Sequence, residues 1–226
     1  MARDKAKRQK KLLKKRQKDK LRKKQAASAS TAFLSAAKKI RSARQYPIHE
    51  CLINPSWKEK GLATIVVSRR QPDGDILFGV YLVDILCLGL KNTFCNADFS
   101  PSRYRTDVVG GASGAEPLVP CSRELAHQII YGAIRFARQF GFEPQKDFQL
   151  SQYVLDEAES VAPNPDLEFG RKGQPLFIAG PEDDVPRILR QLEATAGRGS
   201  FRYLYGTESP IPYLPDGPGQ TARTVE

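Results

Sequence analysis

Six side chains of this 226-residue chain could act as soft metal ligands or as thiol–base pairs: His49, Cys51, Cys87, Cys95, Cys121 and His127. Zinc sites present ligands in closely spaced pairs. Here only His49-x-Cys51 is close, and its spacing is atypical, so the sequence implies no metal. A thiol nucleophile and its histidine need not be neighbours in sequence, and Cys87 with His49 is one such combination. A second position is more pointed. Asp84 lies inside an apolar run, where a carboxylate must be paired, hydrogen-bonded, protonated or placed at a strand end. Cys87 and Lys91 follow it, with Gly89 between them to turn the chain. Asp84, Cys87, Lys91 and His49 are therefore the candidates for a hydrolase-like or thiol-dependent site. The competing reading makes Asp84 a cap or ion-pair partner and the cysteines buried packing.

Other reactive groups have simpler roles. His127 falls about 140° from the apolar stripe of its helix at 100° per residue, which makes it a solvated surface histidine. Cys121 precedes a helix, where amide groups favour thiolate, although a small residue at a loop end suffices. Glu182, Asp183 and Asp184 stand at a helix start, where carboxylates cap free amides. Gly170-Arg171-Lys172-Gly173 reads as a tight turn. Neither a phosphate-cradling GxxxxGK[ST] nor a dinucleotide GxGxxG follows a strand, so no cofactor is implied.

The elements that would position these groups follow from periodicity. LATIVVSRR at 62–70 is β-branched, Pro72-Asp73-Gly74 supplies a turn, and ILFGVYLV at 76–83 is the partner strand of a hairpin. Residues 97–120, rich in Gly and Pro, read as a long mobile loop. From Ser122 as N-cap to Phe140, with Gly141 as stop, Leu125, Ile129, Ala133, Phe136 and Phe140 recur on one helical face. Residues 167–179 around the Arg171 turn read as a second hairpin. A helix opens at Asp183 and Asp184, with Pro186 in its first turn, and ends at Gly197. Two hairpins with two or three amphipathic helices on one face of an antiparallel sheet make an α+β domain over 46–200.

YLVDILCLGLK (81–91), GFEPQKDF (141–148) and FGRKGQPLFIAGPEDD (169–184) resemble motifs of an uncharacterised bacterial protein family. The resemblance spans roughly 46–190. It implies a recurring bacterial domain and carries no catalytic residue across, because no activity is known for that family.

Charge separates the chain further. Residues 1–45 hold 18 Lys and Arg against Asp4 and Asp19, a net +16 of the chain's +11. The remaining residues hold 18 basic and 23 acidic side chains, a net −5. Lys7, Arg8, Lys10, Lys11, Lys14, Lys15, Arg16, Lys18, Lys20, Arg22, Lys23 and Lys24 form the densest run, which favours helix by composition but repels itself. An arm of this kind orders on a polyanion. It lacks interleaved aromatics for base stacking, and no apolar face suits it to a membrane surface. From 201 the chain is rich in Pro and Gly and reads as a disordered tail. The apolar run at 76–90 is too short for a bilayer, which needs roughly 20 residues, and four cysteines without a framework suit a reducing compartment. The sequence thus describes a cytoplasmic, RNA-binding protein anchored by its arm. The alternatives are an enzyme built on Asp84, Cys87 and Lys91, or a protein-interaction module.

Overall fold

The computed structural model describes residues 18, 34–114 and 116–204. Two units are distinguished, Met1–Lys39 and Ile40–Glu226. Of the twelve basic arm residues named above only Lys18 is described, helical and exposed; the rest lie outside the described residues, as does the tail from 205 onward.

Residues 34–41 are helical (α1). Ile40 and Ala43 are already buried, so the second unit starts a few residues before position 46. Strand β1 is Ile48–Ile53, followed by the short helix α2, Trp57–Lys60. Strands β2 (Leu62–Arg70) and β3 (Ile76–Asp84) form the expected hairpin, closed by Gly74 at φ 90° with its N–H donating to the Gln71 carbonyl at 3.0 Å. Strand β4 (Gly89–Phe99) completes a meander, and the two-residue β5 (Val119–Pro120) pairs with β1. The sheet is antiparallel with the order β4-β3-β2-β1-β5. The α+β class therefore holds.

Residues 97–120 are not an irregular loop. The first three finish β4. Helix α3 (Pro101–Arg103), a π-helical stretch (Tyr104–Val109) and helix α4 (Gly110–Ser113) then follow without a break. Ser100 caps this run with its hydroxyl on the Arg103 N–H, and Pro101 sits in the first turn. Tyr104 and Val108 pack on Leu52, Val66, Ile76, Phe78 and Val80. Strand alternation puts Cys51, Ile65, Val67, Arg69 and Tyr81 on the opposite face. That face receives the 16-residue helix α5, Arg123–Arg138. Helices consequently cover both faces, not one.

Helix α6 (Phe148–Ser151) and a short 3-10 turn follow α5. Strand β6 (Leu176–Ile178), helix α7 (Val185–Thr195) and strand β7 (Arg202–Leu204) form a small annex. The second hairpin is absent: Arg171 and Gln174 make an isolated bridge, while β6 pairs in parallel with β7. Thus residues 202–204, expected in the tail, belong to a strand. Cys87, Phe177 and Leu192 form the annex core, with Leu88, Ile188 and Phe201 against it. Among the described residues no helix is long and apolar enough to cross a membrane.

Candidate functional site

Asp84 ends β3 and is 7% exposed. Its Oδ1 accepts the backbone N–H groups of Leu86 at 2.8 Å and Cys87 at 3.0 Å, and Oδ2 accepts that of Leu88 at 3.1 Å. One carboxylate therefore satisfies three amides of the turn between β3 and β4, where no strand partner can reach them. Burial raises the Asp84 pKa from 3.8 to about 6, opposed by these three N–H groups and by the Lys91 charge. The group is a carboxylate at neutral pH with its oxygens occupied. The same turn is clasped by two further bonds, from the Gly170 N–H to the Ile85 carbonyl at 2.9 Å and from the Leu176 N–H to the Leu86 carbonyl at 3.0 Å.

Lys91 does not turn back to Asp84. Its Nζ donates to Asp183 Oδ2 at 2.8 Å, which also accepts the Gly180 N–H at 2.8 Å. Asp184 caps α7 by accepting the Arg187 N–H at 3.2 Å. Cys87 is fully buried, and desolvation pushes its thiol far above the ordinary range, helped by the Asp84 charge. His49 sits beside the Ser68–Arg69 end of β2, whereas Asp84 pairs with Leu62 at the other end. Seven residues along β2 separate those ends, roughly 23 Å at about 3.3 Å per residue. Asp84, Cys87 and Lys91 thus share a corner that joins the sheet to the annex, and His49 stacks edge-on to Tyr104 away from it. The four candidates do not converge on a reacting atom.

A larger polar network lies under α5. Arg69 is 3% exposed; its Nε donates to the Val154 carbonyl at 2.7 Å, Nη1 to the Tyr46 carbonyl at 2.7 Å and Nη2 to Asp156 Oδ1 at 2.6 Å. His127 is 1% exposed, not solvated. Its Nε2 accepts the Asp156 N–H at 2.8 Å, which leaves Nδ1 to donate to the Arg123 carbonyl at 2.6 Å. One nitrogen accepts and the other donates, as in a neutral ring, and burial lowers its pKa, which favours that form. The Tyr131 hydroxyl donates to the Asp156 carbonyl at 2.7 Å. Burial pushes the Asp156 carboxyl up, but the Arg69 hydrogen bond and the surrounding positive charges outweigh it and leave the pKa lowered. These partners account for the burial of His127. The polar side of α5 is covered by the chain around Asp156, so helical phase alone misplaces it. Arg69 is not among the sequence candidates, yet strand alternation from Ile65 and Val67 points it inward.

Cys51 and Cys121 are neighbours across β1 and β5, with the Cys121 N–H donating to the Cys51 carbonyl at 2.9 Å. All four cysteines are free thiols. Burial raises Cys51 to about 12, Cys95 to about 12 and Cys121 to about 11. Desolvation therefore overrides the thiolate-favouring helix start at Cys121. A shallow groove of about 250 Å³ runs along α5 between Gly132, Phe136, Asn164 and Phe169, with Arg135 its one titratable lining group among the described residues.

No family model, curated protein or solved structure matches this chain.

Proposed function

We propose that this chain is a non-catalytic binding protein whose basic N-terminal arm anchors it to RNA, ribosomal or messenger, while the acidic domain offers a docking surface for a protein partner. The observation that carries this reading is the partition of charge: net +16 in residues 1–45 against −5 in the rest. Phosphate backbones release condensed counterions to Lys and Arg, so such an arm binds without reading base sequence. The acidic domain repels a polyanion, and attachment runs through the arm. The enzyme reading loses support because Asp84 caps a turn, Lys91 pairs with Asp183 and Cys87 is sealed in apolar packing.

The test is fluorescence anisotropy of labelled single-stranded RNA with the full chain at several salt concentrations. If about six phosphates are engaged, log K falls against log salt with a slope of about −4. Binding indifferent to salt would sink the proposal. Equal binding of an uncharged polymer of the same length would do so too.

A further inference from the structure

Beyond any role of the arm, we infer that Cys51 and Cys121 form a reversible dithiol–disulfide site, oxidised by exchange with a low-molecular-weight disulfide of the glutathione class. Pairing of Leu52 with Pro120 and of Ile53 with Val119 sets β1 against β5 in antiparallel register. One step along that register puts Cys51 directly opposite Cys121, and the Cys121 N–H donates to the Cys51 carbonyl at 2.9 Å. Residues opposite each other in a hydrogen-bonded antiparallel pair have Cα atoms about 5.5 Å apart and side chains on one face of the sheet. Disulfides most often span a Cα separation of about 5.5–6 Å. The backbone therefore already sets the two thiols at the spacing a bond requires. The other two cysteines are placed differently: Cys95 lies opposite Gly79, and Cys87 packs against Phe177 and Leu192.

Cys51 is 5% exposed and Cys121 is half-buried, so Cys121 meets the reagent first. Its thiolate attacks one sulfur of the small disulfide, forming a mixed disulfide and releasing one small thiolate. The Cys51 thiolate then attacks the Cys121 sulfur, closes the internal bond and releases the second. The two protons lost by the protein end on the two released thiolates. The two electrons lost by its thiols reduce one reagent disulfide to two thiols. Burial keeps both cysteines protonated at neutral pH, which slows the exchange without setting its equilibrium. That equilibrium depends on strain. Opposite Cβ atoms across a sheet lie about 4.5–5.5 Å apart, whereas a disulfide draws them to about 3.5–4.5 Å. Closure therefore pulls β5 toward β1 by about 1 Å. β5 can yield, being two exposed residues at the edge of the sheet. Strained disulfides are the readily reduced, regulatory ones. The pull reaches Ser122, the next residue and the N-cap of α5.

The test equilibrates the full chain in buffers of graded oxidised-to-reduced glutathione ratio. It is run on the native protein and during refolding from urea, so that slow native thiols do not conceal the equilibrium. Acid-quenched samples are read by intact mass and peptide mapping. The oxidised form should be about 2 Da lighter, since two thiols become one disulfide. It should keep two of the four thiols, yield a cross-linked peptide joining Cys51 to Cys121, and revert with dithiothreitol. Cys121→Ser should lose the mass change, and Cys95→Ser should keep it. Four unaltered thiols, or mixed glutathione adducts alone, at the most oxidising ratio by both routes would overturn the proposal. So would mapped bonds that join other cysteines.

Discussion

Arg69 donates to Asp156 at 2.6 Å from a side chain that is 4% exposed, and the same guanidinium holds two backbone carbonyls. This single fork ties β2 to the segment after α6 and to the chain before β1. A buried guanidinium gains little net stability from its charge, but removing one partner leaves the other groups unpaired. Arg69→Met should therefore destabilise the protein by about 3–5 kcal/mol. Urea denaturation measures this, and a loss under about 1 kcal/mol would show that the fork is dispensable.

His127 makes stability depend on pH. Its folded pKa is lowered by burial, below the ordinary 6.5. Between the two values the unfolded chain binds a proton that the folded chain does not, so stability rises with pH. The contribution is complete above about pH 6.5 and is lost as pH falls toward the folded value. Urea midpoints from pH 7.5 to 4.5 should fall, with a shallower fall in His127→Gln. Parallel profiles for the two proteins would rule the histidine out as the source.

Asp84 acts with the opposite sign. Its pKa of about 6 exceeds its ordinary 3.8, so the folded chain keeps a proton that the unfolded chain releases. Stability is lost as pH rises from 3.8 to about 6. Asp84→Ala should nonetheless cost about 3 kcal/mol at neutral pH, because three turn amides lose their acceptor. Asp84→Asn keeps one acceptor oxygen but turns an amine toward an N–H, so its loss should be smaller and its pH slope removed. An alanine variant as stable as the parent would mean the turn finds other partners.

Two glycines separate backbone strain from crowding. Gly89 has φ 69°, and a Cβ there would lie 2.7 Å from Ala137 Cβ and 3.0 Å from the Ala133 carbonyl oxygen. Gly74 has φ 90°, and a Cβ there would meet nothing within 4 Å among the described residues. Gly74→Ala should cost about 1–2 kcal/mol, from conformation alone. Gly89→Ala adds overpacking of about 1–3 kcal/mol against α5. Equal shifts in Tm would contradict the close approach of β4 to that helix.

The thiols should be slow. Burial raises all four above the ordinary cysteine range, with Cys87 the most enclosed. Ellman's reagent at neutral pH should label the native protein at least about tenfold more slowly than the urea-unfolded chain, since thiolate is the reacting form. Rapid native labelling of Cys87 would reopen the thiol-dependent reading.

The parts of the fold legible in the sequence were those with local signals. The β2–β3 hairpin was readable because β-branched runs flank a Pro-Asp-Gly turn, and α5 because Ser122 caps a regular apolar stripe. Both have the expected extents to within about two residues. What failed depended on contacts between distant segments. The helical run from Pro101 to Ser113 carries two glycines, yet it folds because Tyr104 and Val108 fill the second face of the sheet. The strand Leu176–Ile178 was legible as a strand, but its partner Arg202–Leu204 lies beyond a helix and cannot be chosen from local turn chemistry. At the candidate site, the apolar run around Asp84 marks it as a carboxylate needing partners. Those partners are the next turn's own amides, a pairing set by the chain's path from Ile85 to Leu88 and not by residue type.

The most direct test of the account is co-sedimentation of the full chain with ribosomes and with free RNA, beside a full-length variant in which the twelve basic residues from Lys7 to Lys24 are replaced by Gln. Substitution is preferable to deleting 1–45, because Arg44 donates to the Leu155 carbonyl at 2.9 Å and belongs to the domain. The parent should pellet with RNA at moderate salt and be released as salt rises, while the variant stays in the supernatant throughout. Equal recovery of both proteins in the RNA pellet would contradict it.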